Sequence, residues 1–423
     1  MRPVNSDASR ITSISPEMDR YNGRLYFFSY LLIFLCAPID YVGVVQAALC
    51  NRLGTSHTIA NLPAATYSLG YILPFFLSAV IPYRLERALL TLANVVTAAS
   101  TAIVCVVLFF PFSTPIRVAA VIIQGGIVGL SACTADVYTF QCLGRGTTEI
   151  GRDRIFKLTF TISPLFGVAG SLIAQFILGG GIPRVRFPYD FGLLYFFCLP
   201  CMGGVAFLSS RYKMIWLEER PRSPIFQSVS TQLRSYAANR NLVLLWFAYL
   251  FWFFSINSSP NLSLYALKAL GKSPSLLAGL SMALTFGGKS IGGFILGAVA
   301  VRRGSLAASG VSTLLAGGAL AWACLVPGYS YLLSFAFIGA GALGGTYFPN
   351  CVFSFSPPSS STSDLAVLSL TRPVSSIAPM IYGVLADSYG FRASFIFGMA
   401  TAALAWWLVC RVSSGAKASE FRF

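Results

Sequence analysis

The sequence predicts an all-α membrane protein whose chain crosses the bilayer twelve times, in two halves of six helices. Three observations predict it. Of 423 residues, 56% are hydrophobic and only 10% charged, and the mean hydropathy is +0.71; soluble domains carry about 25% charged residues. Apolar runs long enough to cross a hydrocarbon layer of about 30 Å recur from one end of the chain to the other. With the N-terminus placed in the cytoplasm, 21 of the 30 Lys and Arg fall on that side, 7 on the other, and two, Lys289 and Arg372, inside spans. Basic residues are retained on the cytoplasmic side of helical membrane proteins. The net charge of +16 therefore reads as topology and not as a nucleic-acid surface, with both termini cytoplasmic.

Residues 1–24 form a polar cytoplasmic tail without the features of a cleavable leader. Spans 1 to 6 are expected at 25–49, 59–82, 89–111, 116–141, 157–180 and 190–209, making a first bundle over 25–209. The linker, 210–240, places Ile225, Phe226, Val229, Leu233 and Tyr236 on one helical face, as in a helix lying on the cytoplasmic leaflet. Spans 7 to 12 are expected at 242–268, 275–300, 305–326, 331–354, 366–387 and 391–411, making a second bundle over 241–411 before a short cytoplasmic tail, 412–423. Most of the ten cysteines fall inside apolar runs, where a thiol acts as a small hydrophobe. With His57 the single histidine, neither a disulfide framework nor a metal site is expected. No phosphate-binding loop or catalytic triad is present, so the chain reads as no enzyme and as needing no cofactor.

The halves repeat. In GGKSIGGFILGAVAVRRG, Gly287 to Gly304, four glycines (Gly288, Gly292, Gly293, Gly297) at helical spacing permit close helix approach. The run ends in Arg302 and Arg303, marking a cytoplasmic turn. Setting Arg84 on Arg302 pairs Gly70 with Gly288 and Tyr71 with Lys289. Setting Leu53-Gly54 on Leu270-Gly271 puts Asp40 on Asn257.

These segments resemble the major facilitator superfamily of secondary transporters, whose signature is a Gly-rich helix end followed by D-R-x-G-R-R between spans 2 and 3, echoed between spans 8 and 9. GGFILGAVAVRRGS resembles the second copy, with Val301 for the aspartate, and Arg84 to Arg87 (RLER) resembles a worn first copy. GVLADSYGFRASF, Gly383 to Phe395, resembles the segment between spans 11 and 12. Ser163 to Val168 (SPLFGV) matches an antiporter element of span 5 only in part, leaving direction open. The resemblance implies two pseudo-symmetric six-helix bundles around a cavity that opens alternately to each side, lined by spans 1, 4, 7 and 10. It implies that Asp136, near the cytoplasmic end of span 4, pairs with Arg84 or Arg87 as a gate latch, with Arg302 and Arg303 as the repeated gate.

Few charges lie inside spans, where each is costly and functional by default. Asp40, mid-span in CAPIDYVG, is the candidate proton carrier; its position also resembles the span 1 aspartate of proton-coupled exporters. Lys289 and Arg372 suit an anionic substrate, or else neutralise Asp40 and Asp136. Asn257 and Asn261, four apart around the helix-loosening Pro260, join Tyr265, Gln46, Gln124, Tyr347 and Asn350 as cavity candidates. The expectation is a monomeric secondary transporter of a small organic solute, proton-coupled, in a bacterial inner membrane. The alternatives are an uncoupled or organic-anion carrier using Lys289 and Arg372, and a non-transporting sensor or scaffold in a membrane complex.

Overall fold

A chain in hydrocarbon has no water to satisfy its backbone, so each apolar run must close its own hydrogen bonds as a helix. The computed structural model describes residues 13–72, 82–215, 225–356 and 361–412. Among them nine helices are long and apolar enough to cross a membrane. One of these, Pro274–Leu325, is spans 8 and 9 joined by a single residue: Gly304, at φ 82° and ψ 166°, turns the chain between them. Gly390 does the same between Ala378–Tyr389 and Phe391–Arg411, at φ 83° and ψ 166°. A side chain does not enter that region of backbone space without strain. Span 1 (Pro16–Leu35, Ala37–Asp40, Val44–Arg52) and the first part of span 2 (His57–Gly70) complete the twelve. The expected end of span 2, over 73–81, lies outside the described residues.

Helices outrun the apolar runs at the ends that carry charge. Span 1 starts at Pro16 and span 5 at Glu149, well before the hydropathy edges. Hydropathy marks the hydrocarbon layer, whereas a helix with Arg20, Arg24, Arg152 and Arg154 on it continues into the headgroup region. The face where span 1 starts and span 12 ends is the near face below; the opposite one is the far face.

The two halves have matching contacts. Gly54 and Gly271, paired by the repeat, both have positive φ, 86° and 65°. Gly70 touches the span 4 backbone at Gly129 and Leu130, and its repeat mate Gly288 touches the span 10 backbone at Ala336. Gly292 packs on Ala340 of the same span, but Gly293 and Gly297 face open space. Two of the four glycines are therefore packing positions. One apolar core runs through both halves, with Phe34, Leu49 and Tyr195 on one side and Leu262, Phe286 and Phe395 on the other. The linker contains a helix, Ile225–Ala238, whose last turn docks on the second half: Tyr236 is buried and donates its hydroxyl to Leu242 O at 2.9 Å.

Replacing Gly70 or Gly288 by Val forces two backbones apart, and overpacking of this kind costs about 1–3 kcal/mol. Thermal unfolding in detergent is expected to show a lowered midpoint for both variants and an unchanged one for Gly293→Val. Equal losses at all three positions would contradict the packing assignment.

Candidate functional site: the central cavity

Spans 1 and 7 break near their own midpoints, and the breaks build the site. Span 1 stops at Leu35, makes one short turn around Pro38, and stops again at Asp40 before resuming at Val44. Irregular backbone at this depth has to be satisfied internally. Gln46 does so: its Oε1 accepts from Gly43 N at 3.0 Å and its Nε2 donates to Ile39 O at 2.8 Å. Gln46 is fully buried, so it mends its own span and does not line the cavity. Asp40 is the last residue before the gap, half-buried, and its carboxyl group makes no hydrogen bond or ion pair among the described residues.

Span 7 breaks at the repeat-equivalent place. Asn257 follows Arg240–Ile256, and Ser259–Leu264 restarts with Pro260 in its first turn. The Asn257 amide reaches Ser375 O of span 11 at 3.4 Å. Asn261, fully buried, donates to Tyr382 O at 2.8 Å and Ser394 Oγ at 3.2 Å, and accepts from Asn61 of span 2 at 2.7 Å. Asn261 therefore ties four spans together and faces no open space.

The two in-span cations of the second half, Lys289 and Arg372, lie over tyrosines of the first. The Arg372 guanidinium is 3.4 Å from the centroid of the Tyr71 ring and 5.4 Å from that of Tyr67. The ammonium of Lys289 is 5.8 Å from the Tyr41 ring, beside Asp40. Such contacts contribute about 0.5–1 kcal/mol when exposed and about 2 or more when desolvated. Among the described residues the ion pairs are Arg52–Asp190 and Glu86–Arg145, both away from the cavity centre. Neither Lys289 nor Arg372 is thus neutralised by a carboxylate in contact.

The other candidates scatter. Gln124 is buried, accepts weakly from Tyr195 at 3.4 Å and leaves its Nε2 without a partner. Tyr265 packs edge-on to Tyr331 and Phe395. Tyr347 is half-buried and its carbonyl accepts the Cys351 thiol at 3.2 Å, while Asn350 is exposed. The expected latch between Asp136 and the arginines of loop 2–3 is replaced by another pairing. Arg87 donates to Tyr212 O at 3.0 Å, Arg84 is exposed, and the buried pair at this face is Glu86–Arg145 at 2.6 Å. Asp136 lines a small cleft of about 30 Å³ with Tyr30, Asn94 and Thr139, and makes no hydrogen bond or ion pair among the described residues. Arg302 and Arg303 are exposed at the near face. Sequence reasoning missed Tyr41, Tyr67 and Tyr71; the four-residue spacing of the last two on span 2 was the available signal. It also passed over Cys198-Leu199-Pro200-Cys201 on span 6. Those thiols are free, and no group of three metal-capable side chains gathers among the described residues.

The described hydrogen bonds between the halves lie toward the far face. Asp387, near the end of span 11, accepts from His57 N at 3.0 Å, Thr58 N at 2.9 Å and Thr58 Oγ1 at 2.6 Å, capping the start of span 2. An acid at a helix N-terminus meets both unpaired N–H groups and the positive end of the dipole. On the other seam Gln175 of span 5 donates to Leu276 O at 2.6 Å and accepts from Leu280 N at 2.8 Å in span 8.

Twelve helices, matched breaks in spans 1 and 7 and a charged centre define a polytopic membrane protein with the major facilitator fold. No family model matches the chain, and no curated protein matches it in sequence. Among solved structures it is similar to a bacterial homologue of the iron transporter ferroportin in an inward-facing state, at 14% identity and TM-score 0.69, covering 93% of this chain and 98% of that one. It is similar to a D-xylose–proton symporter at 15% identity and TM-score 0.65, covering 94% and 98%. A human organic anion transporter is similar at 16% identity and TM-score 0.61, covering 93% and 100%.

Removing the Asp387 carboxylate deletes three bonds of one seam and leaves Gln175 to hold the other. In Asp387→Ala, spin labels at positions 59 and 389 are expected to show a longer, broader distance distribution than in the parent. An unchanged distribution would remove Asp387 from the far-face closure.

Proposed function

We propose that this protein is a secondary active transporter that carries a small organic solute by alternating access, coupled to protons through Asp40. The observation that carries the reading is the place of Asp40: a half-buried carboxyl group at the break of span 1, with no side-chain partner among the described residues. A carboxyl group inside a span without a partner is costly and functional by default, so it suits a group that gains and loses a proton as the cavity changes sides. On this reading the protein is a monomer in a bacterial inner membrane, both chain ends are cytoplasmic, and the near face is the cytoplasmic one. The closed far-face seams then correspond to an inward-facing state.

A second reading is favoured by the tyrosine-bound cations. Lys289 and Arg372 lie over rings of the first half without carboxylates in contact among the described residues, which suits an organic anion as the solute, with or without coupling to protons. The xylose symporter and the organic anion transporter named above lend support to one reading each by fold alone.

Proteoliposomes with an entrapped pH dye separate them. Addition of a transported solute from a panel of neutral, zwitterionic and anionic metabolites is expected to move protons in the parent and none in Asp40→Asn. Proton movement of the same size in that variant would sink the coupling role. For an anionic solute, Arg372→Lys keeps the charge but loses the planar stack, and KM is expected to rise about tenfold. An unchanged KM would take Arg372 out of the binding site.

A further inference from the structure

A groove of about 400 Å³ opens at the near face between the start of span 1 and the start of span 5. It is lined by Arg20, Arg24 and Arg154, with Asp19, Ile155 and Leu158 among the remaining walls. The three arginines are exposed and make no hydrogen bond or ion pair among the described residues. Asp19, the one acid in the lining, is already committed to span 5, accepting from Thr148 Oγ1 at 2.6 Å and Thr148 N at 3.3 Å. The groove therefore presents three guanidinium groups that are unpaired among the described residues.

The position of the groove identifies what it faces. Arg154 heads a stripe on span 5 that continues through Leu158, Leu165, Leu172 and Phe176, exposed by 44%, 60%, 52% and 58%. At the far end of span 5, the side turned to span 8 is occupied by Gln175 and Gly167. An apolar stripe that stays exposed along the whole helix is the face turned to lipid. Phe28, 52% exposed one turn beyond Arg24, extends the same apolar surface on span 1.

We propose that this groove is a binding site for the phosphate headgroup of an anionic phospholipid of the near leaflet. Arg20, Arg24 and Arg154 hold the phosphate through charge-assisted, forked hydrogen bonds, and an acyl chain runs along Leu158 and Phe28. The site is separate from the central cavity and stands whether or not the protein transports.

Native mass spectrometry of the full-length protein in mild detergent tests this, titrating phosphatidylglycerol, phosphatidylcholine of identical chains, and inorganic phosphate. One phosphatidylglycerol is expected to be retained above the statistical background, with phosphatidylcholine at background. Each arginine changed to Ala is expected to lower retention about fivefold, from the roughly 1 kcal/mol that a basic residue contributes at an anionic surface, and the triple Lys variant to restore most of it. Equal retention of the two lipids by the parent protein would overturn the proposal, as would undiminished phosphatidylglycerol binding in the triple Ala variant. Inorganic phosphate that binds on its own and displaces the lipid would assign the groove to a soluble phosphate instead.

Discussion

The constraint on which the structure depends is the need to pair every backbone amide and carbonyl within hydrocarbon. Unbroken helices meet it at no further cost, and most of the spans are of that kind. The two that matter most for the cavity are not. Span 1 gives up its regular ladder around Asp40, and one glutamine side chain, Gln46, takes over the freed groups at Gly43 and Ile39. Span 7 gives up its ladder around Asn257, and the neighbouring Asn261 takes hold of spans 2, 11 and 12. The breaks put a carboxyl and an amide, Asp40 and Asn257, at repeat-equivalent places in the two halves. Polar residues buried as mending groups are thus what allow a charged one to stay uncommitted.

The second organising fact is a division of sign. The carboxylates near the cavity, Asp40 and Asp136, come from spans 1 and 4; the cations, Lys289 and Arg372, from spans 8 and 11. Opposite charges on separate bodies attract over several ångströms in a medium of low dielectric, which on the transporter reading would favour closure of the cavity without fixing any one contact. Lys289 and Arg372 lie over the ring faces of Tyr41 and Tyr71, with no contact ion pair to a carboxylate among the described residues.

Much of the fold could be read from the chain because its causes are local. Apolar length, the bias of Lys and Arg, and glycines at helical spacing each act within one helix or one loop, so span count and pairing of the halves followed from them. The pairing of Gly54 with Gly271 and of Gly70 with Gly288 is repeated in backbone conformation and in close packing. The site was legible only as a set of charges. Asp40, Lys289 and Arg372 announced themselves because charge inside a span is rare. What surrounds them did not, because a tyrosine on a ring-rich helix looks the same whether it faces lipid or a guanidinium. Gln46 and Asn261 looked like ligand contacts because polar side chains in a span serve solute and backbone equally well. The seams were missed for a different reason: Asp387 caps a helix 329 residues earlier in the chain, and no periodicity reports a partner in the other half.

The stack of Arg372 on Tyr71 has a further consequence. The arginine belongs to one body and the ring to the other, so a rocking motion that separates spans 2 and 11 must slide the cation off its face. On the organic-anion reading proposed above, a solute would have to displace the ring from the guanidinium, and the energy it gains over that ring, rather than its full interaction with Arg372, would set how tightly it is held. A site of that kind would select among solutes by difference and release what it binds by letting the ring return.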